Sequence, residues 1–539
     1  MSYIVKRSTF ILLLLLTGVM FLPWLGEALF NTKGEPREAI VAVSMLQSGD
    51  WILPTSFGGD IPYKPPFLAW AIAIFSLIFN SGEVTEYLSR LPSALAAMAL
   101  LIAGWRVAAP RVGRGLAWLM LVVTMTSFEF FRAAVACRVD MVLTAAMVGG
   151  IYAVYTMNGR WSRSILATLL FSVAVLTKGP IGAALPLLAM LIYSICRGDK
   201  FLPTLGKLTL IGIGSLVLPA LWYWAAARQG GQFFIDRAIE ENIGRLTGTM
   251  AYESHVNPWY YNIITIVWGL MPWTVPVLIA LCYRSMRQYI RLPRRHEDFS
   301  LLAVVVTLTV FIFYCIPSSK RSVYLLPCYP FLAYGVARLL SHIRDTRLLR
   351  VFALVLAWIA VIVPPVALGL MTAGITIGGN TLTAPAWWAW IPGLLPTLGA
   401  IWWLVTHRKA EPLGAACALA YGLYLAYAAT FAAPAVNAKS DITSAEFISR
   451  NIPEDMPLYM HISGDSLIRY YTMGFYLGDR IINLPSPDSL PDGAALITDL
   501  GIDDLRAIDE STHRADTLTH RSCDTRRPAI LYTPRNQNQ

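Results

Sequence analysis

Apolar stretches of about 20 residues recur along most of this chain, which is the length a helix needs to cross a bilayer. They lie near residues 8–29, 91–109, 115–133, 141–157, 164–177, 180–196, 207–227, 260–283, 299–316, 322–341, 350–372, 387–406 and 412–431. Inside hydrocarbon every backbone N–H and C=O must find its partner within the segment, so stretches of this kind cross as helices. Composition agrees, because 56% of the 539 residues are hydrophobic and 14% are charged, a balance that suits a polytopic membrane protein. The opening stretch Met1–Phe30 carries Lys6 and Arg7 ahead of its apolar run and has no small-residue cleavage site. It reads as an uncleaved first helix. Six of the seven cysteines, Cys137, Cys196, Cys282, Cys315, Cys328 and Cys417, fall in apolar runs, and Cys523 alone falls in a polar one. That pattern offers neither a disulfide framework nor a CxxC metal knuckle.

The net charge of +10 belongs to topology, not to nucleic acid. Basic residues concentrate in short loops at Arg111–Arg114, Arg160–Arg163, Arg197–Lys200, Arg284–Arg295, Arg344–Arg350 and Arg408–Lys409, as the positive-inside bias requires of cytoplasmic loops. Two helices then fit each interval, giving about thirteen crossings. Arg138, Asp140, Lys178, the stretch 228–259, Lys320, Arg321 and the C-terminal tail fall outside. The apolar segment Phe67–Phe79 breaks this parity if it crosses, so it is expected to lie along the outer interface. Residues 1–436 therefore read as an all-α membrane domain with outer loops at 31–90 and 228–259. Residues 437–539 read as a small outer α/β domain, with a helix near Ser444–Arg450 and strands near Leu458–Ile462, Arg480–Leu484, Ala494–Thr498 and Ala529–Tyr532. No internal repeat is evident.

This topology gathers charges of both signs on the outer face: Glu35, Arg37, Glu38, Lys64, Glu83, Arg138, Asp140, Lys178, Arg245, His255, Lys320 and Arg321. Ionisable residues beside a bilayer are costly and point to function. They sit at helix ends and in loops, whereas a transporter places its carboxylates near the midplane within repeated halves. That argues against the alternative of a lipid flippase or transporter. Arg as a fork and Lys as a point charge both suit phosphate oxygens, and phosphorylated lipids are the ligands at hand. His255 and Glu83 could also share a divalent metal, most plausibly zinc. Plainer roles compete. Lys64 could be a snorkelling lysine, Asp140 could pair with Arg138 or cap a helix, and Lys178 could cap a helix C-terminus. Arg245 could sit in an amphipathic segment with Glu240 and Glu241.

Five strings carry a resemblance. Gly34-Glu35-Pro36-Arg37-Glu38-Ala39, Tyr63-Lys64-Pro65-Pro66, Asp140 after Cys137-Arg138-Val139, Lys178-Gly179-Pro180, and Ser319-Lys320-Arg321-Ser322-Val323-Tyr324-Leu325-Leu326-Pro327 resemble the polyprenyl-phosphate-dependent membrane glycosyltransferases. These are relatives of the protein O-mannosyltransferases, and the nearest likeness is to the bacterial enzymes that attach 4-amino-4-deoxy-L-arabinose to lipid A. The resemblance implies a large membrane-transferase (GT-C) fold in the bacterial inner membrane, with its site and tail domain periplasmic. It also implies an undecaprenyl phosphate-linked sugar donor and a lipid A acceptor. The family often opens its first motif with Asp-Glu; here the pair is Gly34-Glu35, so Glu35 or Asp140 would have to cover the missing acid.

Chemistry sorts the candidates. An acceptor phosphate is already anionic near neutral pH, with a second pKa of about 6, so no strong base is needed. The demanding tasks are neutralising the departing phosphate and holding two anions together, and fixed cations do both. Lys64, Arg37, Arg245 and Tyr324 are therefore expected at the donor phosphate. Lys178, Lys320, Arg321 and Tyr63 are expected at the acceptor. Glu35 and Asp140, with Lys64 and Arg37, are the candidate catalytic residues. A protein hydroxyl or another glycolipid is the alternative acceptor.

Overall fold

All thirteen apolar stretches are helical, although not all are straight. The computed structural model describes residues 7–32, 34–62, 64–244, 256–283, 297–377, 380–407, 411–437, 439–463, 470–506, 508, 511–518 and 529–535. Among them, seven helices are long and apolar enough to cross a membrane by themselves, and two bent pairs raise the count to nine. The remaining four stretches form Arg7–Phe21, Val139–Tyr155, Trp161–Lys178 and Ile181–Arg197, of 15, 17, 18 and 17 residues. At ~1.5 Å per residue these rise about 22–27 Å, close to a bilayer core.

Two expected straight crossings are broken instead. Arg114–Met125 and Phe128–Ala134 meet at 69°, and Tyr261–Gly269 and Thr274–Cys282 meet at 115°. The breaks satisfy each other. The Phe128 amide donates to the Met271 carbonyl at 3.2 Å, the Trp273 indole donates to Thr126 Oγ1 at 2.9 Å, and the Tyr424 hydroxyl donates to Met271 O at 2.9 Å. Thr126 and Ser127 hydroxyls also return to carbonyls one turn back. Backbone groups freed at membrane depth must be re-satisfied by neighbours, and here two interrupted helices do so jointly.

Phe67–Phe79 has 13 residues, about 20 Å of rise, too short to span. Leu68, Ala69, Ile72, Ala73 and Ser76 are buried, at the i, i+3, i+4 spacing of one helix face. That face packs with Ala39, Ala42, Met45 and Val142, while Ile74, Leu77, Ile78 and Phe79 are exposed. The geometry agrees with a helix lying beside the bundle.

The charged loops segregate to opposite ends. At one end Asp298 accepts from Tyr155 at 3.0 Å and from Tyr193, and stands 3.9 Å from Arg197. The Arg111 guanidinium lies 4.6 Å over the Tyr155 ring, and Arg338 pairs with Glu297 at 3.3 Å. At the other end Val256 bridges to Ser319, and Asn257 donates to the Lys320 carbonyl at 3.0 Å. Val256 and Asn257 thus share one end with the Lys320 loop, in line with charge parity.

The tail forms the expected α/β unit. The helix runs Ile442–Asn451, and five strands, β1 (Leu458–His461), β2 (Ile481–Asn483), β3 (Ala495–Thr498), β4 (His513–Thr517) and β5 (Ile530–Pro534), make one sheet in the order β2-β1-β3-β5-β4. The β2-β1-β3 pairs are parallel, and β5 runs antiparallel to β3 and β4. Two elements were not anticipated: the edge strand β4, and the helix Tyr471–Tyr476, which turns toward the membrane domain. Phe57 of the first outer loop meets Tyr471 edge-to-face at 5.4 Å, and Phe30 meets Phe475 at 4.8 Å. The Phe57 amide donates to Asp479 Oδ1 at 2.8 Å, its carbonyl accepts the Asn483 amide at 2.9 Å, and Ser44 donates to Asp479 Oδ2. Gly474 is required there, since a Cβ would fall 2.6 Å from Phe57 Cζ.

Burial of Asp479 raises its carboxyl to about 6, against the Phe57 and Ser44 hydrogen bonds that lower it. Between about pH 4 and pH 6 the docked carboxyl holds a proton that an undocked one has lost, so docking strengthens on acidification. Amides of residues 44–60 and 473–483 are expected to gain hydrogen-exchange protection, corrected for intrinsic rates, from about pH 7 to about pH 5. Asp479→Asn should remove that dependence. A pH response unchanged by that substitution would contradict the assignment.

Candidate active site

Glu35 stands just ahead of the Pro36–Ser48 helix and is 9% exposed. Arg90 holds it with two parallel bonds, Nε to Oε1 at 2.9 Å and Nη2 to Oε2 at 3.2 Å, and the Cys137 amide adds a third at 2.8 Å. Burial alone would raise this carboxyl, but the Arg90 guanidinium outweighs it and holds it below the usual range. Arg90 also donates to the Leu25 and Ala28 carbonyls, and its guanidinium lies 5.0 Å over Phe30. The pair is a brace that fastens the first outer loop to the Glu86–Val112 helix and to Cys137.

One turn onward, Glu38 is the second anchor. It accepts from Arg37 at 2.9 Å and from Lys64. Burial would raise the Glu38 carboxyl too, yet Lys64 and Arg37 bring it below its ordinary value. Lys64 is pushed down to about 8 by burial and by Arg37, with Glu38 and Asp140 acting the other way. Beside these groups opens a pocket toward the tail domain, with Asp60 and Tyr471 on its wall. The Tyr471 hydroxyl donates to Asp60 Oδ2 at 3.1 Å, and Arg237 lies 3.6 Å from Oδ1.

Asp140 and Lys178 form the third pair, at 2.7 Å. Asp140 lies in the first turn of Val139–Tyr155, and Lys178 ends Trp161–Lys178, positions that both helix dipoles favour. The Lys178 ammonium sits 4.2 Å over the Tyr324 ring, which itself lies 5.2 Å from Tyr314. A fourth pair joins Arg132 to Glu129 at 2.6 Å, with Arg132 also reaching Ser322 at 3.3 Å.

Most of the candidates read from the sequence meet here. Glu35, Arg37, Lys64, Asp140, Lys178, Tyr324 and Arg321 are linked through these contacts or through direct charge–charge influence on their neighbours. Tyr324 accompanies Lys178, so the expected division between donor and acceptor groups is not a spatial one. Lys320 is turned aside: it is buried, and its ammonium donates to the Pro317 carbonyl at 2.6 Å and to that of Asn257 at 3.3 Å. Tyr63, Arg245 and His255 lie outside the described residues. Glu83 is exposed beside Asn80, and among the described residues no three His, Cys, Asp or Glu side chains gather as a metal site. Glu38 was visible as an outer charge but not as the group that holds Arg37 and Lys64 together. Arg90 opens an apolar helix, and nothing in its surroundings marked it.

Comparison with known proteins adds to this geometry. Residues 63–224 match the dolichyl-phosphate-mannose-protein mannosyltransferase family. Over that stretch the chain is similar to the membrane glycosyltransferases of this family. It is 26% identical over 436 residues to an undecaprenyl phosphate-alpha-4-amino-4-deoxy-L-arabinose arabinosyl transferase of Serratia proteamaculans, covering 78% of this chain and 76% of the relative. It is 29% identical over 339 residues to the protein of that name in Yersinia pestis, covering 60% and 58%. The chain thus spans less than two thirds of the length of several curated relatives that it matches. In fold it is similar to ArnT from Cupriavidus metallidurans bound to undecaprenyl phosphate, with a TM-score of 0.73, 19% identity and 98% of each chain covered. The archaeal oligosaccharyltransferase AglB from Archaeoglobus fulgidus is more distant, with a TM-score of 0.52, 13% identity, and 89% and 64% coverage. The GT-C architecture is therefore the fold of this protein.

Because Arg90 is the guanidinium that keeps Glu35 ionised, Arg90→Ala should cost about 3–5 kcal/mol by leaving a buried charge unmatched. The double substitution Arg90→Ala with Glu35→Gln should recover part of that loss. Thermal unfolding in detergent measures both, and additive losses would show that the two residues do not act as a pair.

Proposed function

We propose that this protein transfers 4-amino-4-deoxy-L-arabinose from undecaprenyl phosphate to a phosphate of lipid A, at the periplasmic face of the bacterial inner membrane. The observation that carries the reading is the surplus of positive charge at the outer end of the bundle. Arg37 and Lys64 share one carboxylate, Lys178 has another, and Arg138 and Arg321 have none among the described residues. A site that must hold two phosphorylated lipids together requires that surplus. The names of the curated relatives support the sugar and its carrier.

In this reading Lys64 and Arg37, with Arg245, receive the donor phosphate, and Tyr324, beneath the Lys178 ammonium, stands between the two phosphates. The bond from the anomeric carbon to that phosphate breaks, and a bond to an acceptor phosphate oxygen forms. The acceptor oxygen is already anionic, so no proton has to be removed. Lys178, Arg321 and Tyr63 face the acceptor; Lys320 shapes the loop that carries Arg321. Asp140 steadies the positive ring or the sugar amine. Glu35, saturated by Arg90 and Cys137, sets the position of Arg37 and the first loop. A zinc ion shared by Glu83 and His255 would be a tie outside this chemistry, and no step passes through it. Membrane lipids and the two lipid substrates are the partners, with no role for nucleic acid. The product would leave lipopolysaccharide with less negative charge and weaker attraction for polymyxin and other cationic peptides.

Lys64→Ala and Arg37→Ala should each abolish addition of the aminopentose to lipid A, read by mass spectrometry of lipid A from expressing cells, while the protein still accumulates. Retained modification in both would contradict the site. A protein hydroxyl as acceptor is the second reading, favoured by the family matched over residues 63–224. It needs a base, so Asp140→Asn would then be nearly inactive, and lipid A would be unmodified in every strain.

Lys64 keeps its charge only below about 8. Undecaprenyl phosphate affinity is therefore expected to fall as pH rises through that value, and Lys64→Arg should remove the inflection. A flat profile in the wild type would separate Lys64 from the donor phosphate.

A further inference from the structure

Gly34 occupies the position where the related motif often carries an acid, and the space is taken. A Cβ on Gly34 would fall 2.7 Å from Arg138 Nη2 and 3.0 Å from its Cζ. The glycine lets this guanidinium lie directly against the first outer loop, and any side chain at position 34 would meet the guanidinium and shift it. The Arg138 backbone is fixed there, with its carbonyl accepting from Ser93 Oγ at 3.2 Å.

The placement is costly in two ways. Arg138 immediately precedes the helix Val139–Tyr155, where the dipole disfavours a cation. Its guanidinium also makes no hydrogen bond or ion pair among the described residues. The carboxylates whose charge reaches it are already engaged: Glu35 by Arg90 and the Cys137 amide, and Asp140 by Lys178. The Arg321 guanidinium is likewise without a hydrogen bond or ion pair among the described residues. The strongest charge that Arg138 feels is that of Glu35, followed by the like charge of Arg321, the opposite charge of Asp140 and the like charge of Arg132. The strongest that Lys64 feels are those of Arg37, Glu38 and Asp140. Asp140 thus acts on both cations, while Glu38 is set against Lys64 and Arg321 beside Arg138.

We infer that Arg138, admitted by Gly34 and flanked by Arg321, grips a phosphate monoester of the acceptor lipid and makes that phosphate a condition of binding. The inference rests on the proposed function for the identity of the acceptor. A forked guanidinium matches a phosphate bidentately, and two unmatched arginines balance a dianion. An acid at position 34 would instead pair with Arg138 and cancel the seat.

The test uses the full-length protein in lipid nanodiscs and native mass spectrometry, with lipid A, enzymatically dephosphorylated lipid A and undecaprenyl phosphate as separate probes. Arg138→Ala should weaken binding of phosphorylated lipid A by about 10- to 100-fold, the range for a lost charged hydrogen bond. It should leave dephosphorylated lipid A and undecaprenyl phosphate unchanged, the latter also reporting that the variant is folded. Arg138→Lys should keep part of the affinity, and Gly34→Asp should lower it with Arg138 still present. Unaltered binding of phosphorylated lipid A by Arg138→Ala and Gly34→Asp overturns the inference. So does equal wild-type affinity for the two forms of lipid A, or parallel loss of undecaprenyl phosphate, which would move Arg138 to the donor. If the phosphate-dependent binding is lost as expected while lipid A in cells is never modified, the seat stands and the proposed reaction falls. If transfer occurs but ignores Arg138, the reverse holds.

Discussion

Charge taken out of water beside a bilayer has to be matched, and here the matching is what assembles the site. The Glu35–Arg90 pair reaches across 55 residues of sequence and ties the first outer loop to a helix of the bundle. Asp140 and Lys178 close a gap of 38 residues between two further helices. Buried pairs of this kind are weak evidence for stability, because desolvation offsets much of their attraction. Their effect is geometric. Each carboxylate pins one or two cations at a defined place, and the cations left over acquire a fixed position without a fixed partner.

The interlocked breaks serve the same end by other means. A straight helix through residues 114–134 would carry Arg132 and Glu129 along its own axis. The 69° turn after Met125 swings that short segment toward the Lys320 loop, where Arg132 reaches Ser322. The 115° turn at Gly269–Thr274 supplies the partners that make the first turn tolerable in an apolar setting. Without its counterpart, the Phe128 amide at one break and the Trp273 indole at the other would each lose an acceptor.

The sequence made the membrane helices legible because hydropathy and loop charge are strong, local and summed over many residues. The strands β1, β2, β3 and β5 were legible for a similar reason, each having an apolar core such as Ala495–Thr498. Strand β4 was not. Its residues, His513–Thr517, are polar and mostly exposed at a sheet edge, so no alternation marks them. The site was half legible: Lys64, Arg37, Asp140 and Lys178 stand in short polar strings between apolar runs, and position alone betrays them. Arg90 did not stand out, because an arginine near the start of an apolar helix looks like an interfacial residue until its partner is known. Lys320 misled for the opposite reason. Its place in a motif suggested a ligand contact, whereas the loop it closes consumes its ammonium on backbone carbonyls.

The tail domain is more than an appendage to this site. The strand of first loop that ends at Lys64 passes Ser56, Phe57 and Asp60, and all three lean on the tail, through Ser44 and Asp479, through Tyr471 and Asn483, and through the Tyr471 hydroxyl. Lys64 is thus held from two sides, by Glu38 in the membrane domain and by a loop whose shape the tail dictates. A pocket wall shared by Asp60, Lys64 and Tyr471 follows directly. The pocket is lined by the membrane domain and the tail together, so the tail has a physical route to the Lys64 and Glu38 pair that its distance along the chain does not suggest.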